Sequence, residues 1–166
     1  IEKLEGNDSY LEKRIRIQTK IGEKELPPAL NEVYAIRQAI TRTPLFTIEL
    51  GKGSVFSQRM DGLLVCTPTG STGHAYSYGN PFLEGSMNVF AITPVGAIKR
   101  FPTIIKSATE IRLTANYSLK LVIDGQETFD LEPNSYVSFR RHKRDAVFVR
   151  FDTAGPFRQL RNLGFE

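Results

Sequence analysis

The chain has 166 residues, 40% of them apolar and 24% charged, and its 22 Lys and Arg against 18 Asp and Glu give a net charge of +4. That length supplies one domain with its own core and excludes two of ordinary size, while no apolar run approaches a membrane span and the charged, polar start is unlike a secretory leader. The single cysteine, Cys66, excludes an internal disulfide and fits a reducing compartment, so a cytoplasmic location is expected. The modest cation excess supports attraction for anionic ligands such as nucleotides. Its densest run, Arg140-Arg141-His142-Lys143-Arg144, lacks interleaved aromatics and lies between apolar segments, so it reads as a solvated strand end rather than a nucleic-acid patch.

Residues 1–10 show no initiator methionine and no clear first element, so the chain is expected to begin inside a larger protein. Over 11–21, apolar and charged residues alternate with the period of a half-buried strand that sets Ile15 and Ile17 apart from the charges. Gly22-Glu23 reads as a turn, 24–26 as a short return strand, and Pro27-Pro28 as an extended entry to 29–36. In that next apolar strand, Asn31-Glu32 is costly unless both side chains find partners; an edge strand with two exposed polar residues is the alternative.

Further strands are predicted over 45–50, 54–59, 61–67, 88–94, 110–115, 119–124, 127–131, 135–140 and 146–151, each rich in Val, Ile, Phe, Leu or Thr. Gly51-Lys52-Gly53 and Asp124-Gly125-Gln126 read as hairpin turns, and Glu132-Pro133-Asn134-Ser135 as a turn. The pattern is that of an all-β domain, a multi-stranded sandwich-like fold with one or two short helices. The helices are expected after Thr72 and over 156–163, where Phe157, Leu160 and Leu163 have helical spacing.

The densest chemistry lies where the apolar run Leu63-Leu64-Val65 delivers Thr67-Pro68-Thr69-Gly70-Ser71-Thr72-Gly73-His74. Pro68 stops the strand, Gly70 permits a turn, and Ser71 or Thr72 is placed to cap a helical turn, leaving backbone N–H groups and hydroxyls for a phosphate or a polar nucleotide edge. Cys66, inside the buried strand, reads as a small core residue. The loop is neither a P-loop nor a Rossmann turn. No Gly-x-Ser-x-Gly elbow is present to support a Ser71 or Ser77, His74 and Asp61 triad, and His74, His142 and Cys66 form no metal-ligand cluster.

Thr-Pro-Thr-Gly-Ser-Thr, preceded by Asp61-Gly62, resembles the signature of the NAD kinases, and Ala29-Leu30-Asn31-Glu32-Val33 resembles that family's second motif. The ending from Phe157 to Phe165 is similar to the family's Leu-x-x-Leu-Gly-Trp, so the chain is expected to reach a natural C-terminus. There are two departures: Gly73-His74 stands where the family usually has Ala-Tyr, and Asn80 where it often has glycine.

The resemblance implies that residues 1–166 are the C-terminal NAD(P)-binding β domain of an NAD kinase, which phosphorylates the adenosine 2′-hydroxyl of NAD with ATP or polyphosphate and a divalent metal such as Mg²⁺. It implies that Asn31 and Glu32 hold the sugar and base, that Asp61 reaches the nicotinamide half, and that Thr72, Gly73, His74 and Ser77 line the pocket. Gln126 matches a family turn, and Arg42 and Arg59 match basic positions that approach the dinucleotide, often across a subunit boundary of a homo-oligomer. The catalytic aspartate of the family's Gly-Gly-Asp-Gly belongs to an N-terminal α/β domain, and that motif does not occur here. A dinucleotide-binding regulatory domain and a lipid or sugar kinase of the same superfamily are the alternatives; no nucleic-acid or membrane partner is expected.

Overall fold

The structure is a computed structural model that describes residues 9–51, 53–151, 160, 163 and 164. In chain order the strands are β1 (Tyr10–Arg14), β2 (Ile17–Ile21), β3 (Lys24–Glu25), β4 (Glu32–Arg37), β5 (Leu45–Glu49), β6 (Val55–Arg59) and β7 (Gly62–Cys66). They continue as β8 (Val89–Val95), β9 (Ile104–Ser107), β10 (Ile111–Ala115), β11 (Leu119–Ile123), β12 (Glu127–Leu131), β13 (Tyr136–Arg141) and β14 (Ala146–Arg150). One six-stranded sheet runs β3-β2-β13-β10-β5-β6, a second runs β12-β11-β4-β7-β8-β9, and β1 pairs with β14 in a two-stranded ribbon. The pairing is antiparallel throughout, as expected of hairpins and short connections.

The sheets bury alternate side chains against each other. Ile17, Val137, Phe139, Leu113, Phe46 and Ile48 from the first meet Val33, Ala35, Leu63, Val65, Phe90, Ile92, Leu119 and Leu121 from the second in one apolar core. The second sheet is covered on its other face as well: Leu64, Cys66, Ala91 and Val95 pack with Ala75 and Leu83 from the segment after β7. Burial on both faces explains why all five residues of β7 are buried and why its sequence runs apolar without alternation.

The strand predicted over 11–21 is two strands in different sheets. The chain leaves the ribbon after Arg14 and rejoins at Ile17, where Arg16 is tied across the step by bonds to the Arg144 carbonyl (2.9 Å) and from the His142 N–H (2.9 Å). Strand β4 begins at Glu32, so Asn31 stands in the preceding loop, and β4 is central rather than an edge. Strand β9 has no counterpart among the predicted elements. The helix after Thr72 is instead a pair of 3₁₀ turns, Thr69–Thr72 and His74–Tyr78, neither with a side-chain cap. The first begins before Ser71, whose hydroxyl is engaged elsewhere. The helix predicted over 156–163 lies largely outside the described residues. In the basic run, Arg140 pairs with Glu110 (3.1 Å) and Arg141 with Asp145 (2.9 Å) at the exposed end of β13.

Asn80, where the family often has glycine, closes the loop onto the sheet. It is 2% exposed. Its amide donates to the Pro81 carbonyl (2.7 Å), and its Oδ1 accepts from the Thr93 hydroxyl (3.0 Å) and the Cys66 thiol (3.7 Å). Burial pushes the Cys66 thiol up to about 12, so this donor stays protonated. Asn80→Ala strands the Thr93 hydroxyl and the loop carbonyls, and is expected to cost about 1–3 kcal/mol. Thermal denaturation should show the midpoint falling by roughly 2–10 °C; an unchanged midpoint would show the amide to be dispensable.

Candidate functional site

The segment Leu30-Asn31-Glu32 has no ladder of its own at its start, yet two residues satisfy its backbone. Asp124 takes its three amides: Oδ2 accepts from Leu30 (2.7 Å), and Oδ1 from Asn31 (2.8 Å) and Glu32 (3.0 Å). The Asp124 N–H donates back to the Glu32 carbonyl (3.0 Å). Thr67 takes the other carbonyls, its hydroxyl donating to Leu30 (2.6 Å) and its amide to Asn31 (2.8 Å). Asp124 does this from a left-handed conformation (φ 48°) in the β11–β12 turn, one that Asp adopts at lower cost than most residues.

Thr67 brings the polar loop against the same segment. A side chain at Gly70 would overlap the Asn31 carbonyl, so glycine is required there by close approach of two backbones. Ser71 is fully buried, its hydroxyl donating to the Pro68 carbonyl (2.8 Å) and accepting from the Leu83 N–H (3.1 Å). Between the loop, the 30–32 segment and the β1–β14 ribbon opens a cleft of about 570 Å³ lined by Asn31, Glu32, Thr69, Thr72, Gly73 and His74, together with Leu30, Arg14, Phe148 and Arg150.

Glu32 is the most perturbed acid in this cleft. It is 8% exposed, and its Oε2 is buried with no hydrogen-bond partner among the described residues. Burial, and then the neighbouring Asp124, push its carboxyl up to about 7. A buried acceptor left open at the wall of a cleft is the arrangement expected where a ligand supplies the donor. An alanine at Gly73, the family's usual residue, would set its Cβ 3.3 Å from the Gly70 carbonyl oxygen and 3.9 Å from this Glu32 oxygen. The His74 ring meets Tyr34 (centroids 5.4 Å) and Tyr78 (5.3 Å) edge-on, a cluster suited to receive an aromatic base.

The expected site residues fall into separate groups. Asn31, Glu32, Thr72, Gly73 and His74 share the cleft. Ser77 is exposed on the second 3₁₀ turn and Gln126 on the turn that holds Asp124, neither lining the cleft. Asp61 precedes β7, whose five residues span roughly 17 Å at about 3.3 Å each, so it stands at the far end of the strand from the loop. There it pairs with Arg37 (3.0 Å). Arg59, bonded to the Thr43 carbonyl (3.0 Å), and Arg42, over the Tyr117 ring (5.3 Å), are exposed.

Ser71, His74 and Asp61 are therefore not brought together as a triad. Arg14, Phe148 and Arg150 had no signal of their own in the sequence, because their place depends on which strands pair. Asp124 was visible only as a turn residue. Among the described residues no three His, Cys, Asp or Glu side chains converge to hold a metal ion.

Residues 30–151 match the family model described as the ATP-NAD kinase C-terminal domain. The chain is 34% identical over 154 residues to the NAD kinase of Thermococcus gammatolerans, covering 89% of this chain and 55% of that protein. It is 33% identical over 156 residues to the NAD kinase of Pyrococcus abyssi, covering 91% and 56%. The crystal structure of an NAD kinase from Archaeoglobus fulgidus in complex with ATP matches with a TM-score of 0.77 at 25% identity, over 93% of this chain and 59% of that one. Yeast NADH kinase complexed with NADH shares the fold, with a TM-score of 0.81 at 18% identity over 95% and 51%. The chain thus spans little more than half the length of these relatives, and with the 30–151 match covering the sheets that build the cleft, it belongs to the NAD kinase family and corresponds to its C-terminal domain.

Proposed function

We propose that the cleft seats the sugar and base of NAD and that this chain is the dinucleotide-binding part of an NAD kinase, which phosphorylates NAD on the adenosine 2′-hydroxyl. The open, buried Oε2 of Glu32 carries this reading: a carboxyl desolvated at a cleft wall is matched by the donor hydroxyls of a ribose. Asn31 supplies an amide beside it, Thr72 a hydroxyl, and the His74 cluster an apolar edge for a base. None of these groups activates a nucleophile in the reading proposed. The general base is assigned to the family's Gly-Gly-Asp-Gly aspartate in an N-terminal domain outside the 166 residues.

The phosphoryl donor is ATP or polyphosphate. The described residues supply no set of side chains to hold the divalent metal. Phosphoryl transfer depends on positioning and charge neutralisation, so removing the base together with the N-terminal domain's share of the donor site leaves binding without turnover.

Asp61, at the far end of β7 from the loop, and the exposed Arg42 and Arg59, none of which lines this chain's own cleft, are proposed to complete the cleft of a second copy, so the protein should be at least a dimer. Light scattering that finds only monomer at micromolar concentration, with and without NADP, would overturn this.

Glu32→Gln should weaken NAD and NADP roughly tenfold or more, since a hydrogen bond to a charged group contributes about 1.5–3 kcal/mol. Because ribose donors favour the ionised carboxyl, wild-type affinity should rise as pH passes upward through about 7, with proton release on binding. The fold responds in the opposite sense. A folded-state value raised above the ordinary 4.5 makes the native state bind the proton more tightly, so stability falls as pH rises from about 4.5 to 7. Glu32→Gln should flatten that slope and be more stable than wild type at pH 8. Calorimetry in buffers of different ionisation enthalpy, with melts across pH, reads both; unchanged affinity would remove Glu32 from the site.

The chain alone should bind NADP and form none from NAD, ATP and Mg²⁺, whereas a longer protein with the Gly-Gly-Asp-Gly domain should turn over. In the longer protein, replacing that aspartate by asparagine should lower kcat on the order of a hundredfold with little change in NADP affinity. NADP formation by the 166 residues, freed of contaminating kinase, would place the base within this chain.

A further inference from the structure

The ribbon wall of the cleft carries a second unfilled group, of opposite sign to Glu32. Arg14 is 5% exposed, and its Nη1 is buried with no hydrogen-bond partner among the described residues. Its Nη2 bonds Glu12 Oε1, while the other Glu12 oxygen accepts from Arg150 Nε (2.5 Å). One carboxylate therefore stands between two guanidinium groups, leaving one positive charge in excess. Burial alone would lift the Glu12 carboxyl, but the hydrogen bonds from Arg150 and Arg14 outweigh it and hold it below the usual carboxylate range, so this counter-charge stays in place.

A buried guanidinium that keeps a donor unfilled costs stability unless something completes it. Two features hold it there. A side chain at Gly85 would overlap Arg14 Nη1, so glycine at that position makes room for the guanidinium. Arg150 lies over the Phe148 ring at 4.8 Å, which orders it beside Arg14. Both arginines and Phe148 line the same cleft as Asn31 and Glu32.

We propose that Arg14 and Arg150, bridged by Glu12, form a phosphate-binding edge of the cleft. Planar guanidinium groups match phosphate oxygens through paired donors, and a phosphate is the anion that accompanies a ribose in any nucleotide. This inference deepens the reading of the cleft as the NAD site and rests on it for the identity of the ligand, though not for the anion chemistry. The phosphate is the pyrophosphate of NAD, the 2′-phosphate of NADP or a phosphate of ATP.

The test titrates inorganic tripolyphosphate, adenosine, NAD, NADP and ATP into the wild-type protein and into Arg14→Gln, Arg14→Lys and Gly85→Ala, with thermal melts to certify folding. Arg14→Gln is expected to weaken tripolyphosphate and at least one nucleotide tenfold or more while leaving adenosine within twofold. Arg14→Lys should recover part of the loss, and Gly85→Ala, which keeps the charge but displaces the guanidinium, should follow Arg14→Gln. Equal losses for NAD and NADP assign the pyrophosphate, a loss for NADP alone the 2′-phosphate, and a loss for ATP alone the donor.

Phosphate ligands all within twofold of wild type, or adenosine weakened as much as they are, would overturn the proposal by making Arg14 a structural group. If Arg14→Gln does not fold, Gly85→Ala and Arg150→Gln decide by the same criteria. Tripolyphosphate binding that depends on Arg14 in a protein that ignores NAD and NADP would sink the NAD reading and keep the phosphate edge. NADP binding that depends on Glu32 but not on Arg14 would do the reverse.

Discussion

The Asp124 carboxylate holds the site together. Three consecutive amides, of Leu30, Asn31 and Glu32, converge on its two oxygens, while Thr67 answers the carbonyls of Leu30 and Asn31 from the other side. Without these partners the entry to a central strand would carry unpaired backbone groups next to a packed core, which folded proteins rarely tolerate. The clamp also fixes direction. With the backbone of 30–32 pinned between the β11–β12 turn and the loop after β7, the Asn31 and Glu32 side chains are committed to the cleft.

Holding Glu32 this way sets function against stability. The clamp brings the Asp124 charge near a carboxyl that burial already disfavours as an anion, and no described group satisfies its second oxygen. Arg14 stands in the same condition with the opposite charge. Such groups are tolerated because the rest of the domain over-determines them: two six-stranded sheets share one core, and the polar loop is sealed to the second sheet by Asn80, Leu83 and Ala75. Buried charge without a partner at the wall of a cleft marks a candidate binding surface.

The departures from the family pattern take on meaning from these contacts. Asn80 does not replace glycine as a passive residue; its amide links the loop to β7 and β8. Gly73 and His74 do not disturb the 3₁₀ path: the first joins the two turns, and the second meets Tyr34 and Tyr78 in an aromatic cluster. Gly70 behaves otherwise, since any side chain there meets the Asn31 backbone and would separate the two motifs.

Much of this was legible in the chain. Period-two alternation and turn residues define nearly every strand, because a half-buried strand and a left-handed turn impose local requirements that single residues reveal. Resemblance to the family is enough to put Asn31, Glu32 and the Thr67–His74 loop in one site. Pairing was not legible. The break between β1 and β2 is a change of sheet within an unbroken alternation, and Arg14 looks like any strand charge until β14 brings Arg150 alongside Glu12. Nor did the motif order reveal that Asp61 and Glu32 stand at opposite ends of adjoining strands. Sequence determines which faces are apolar and where the chain can turn; which distant strand answers each face, and so which charges share a cleft, is decided only when the sheets close on their common core.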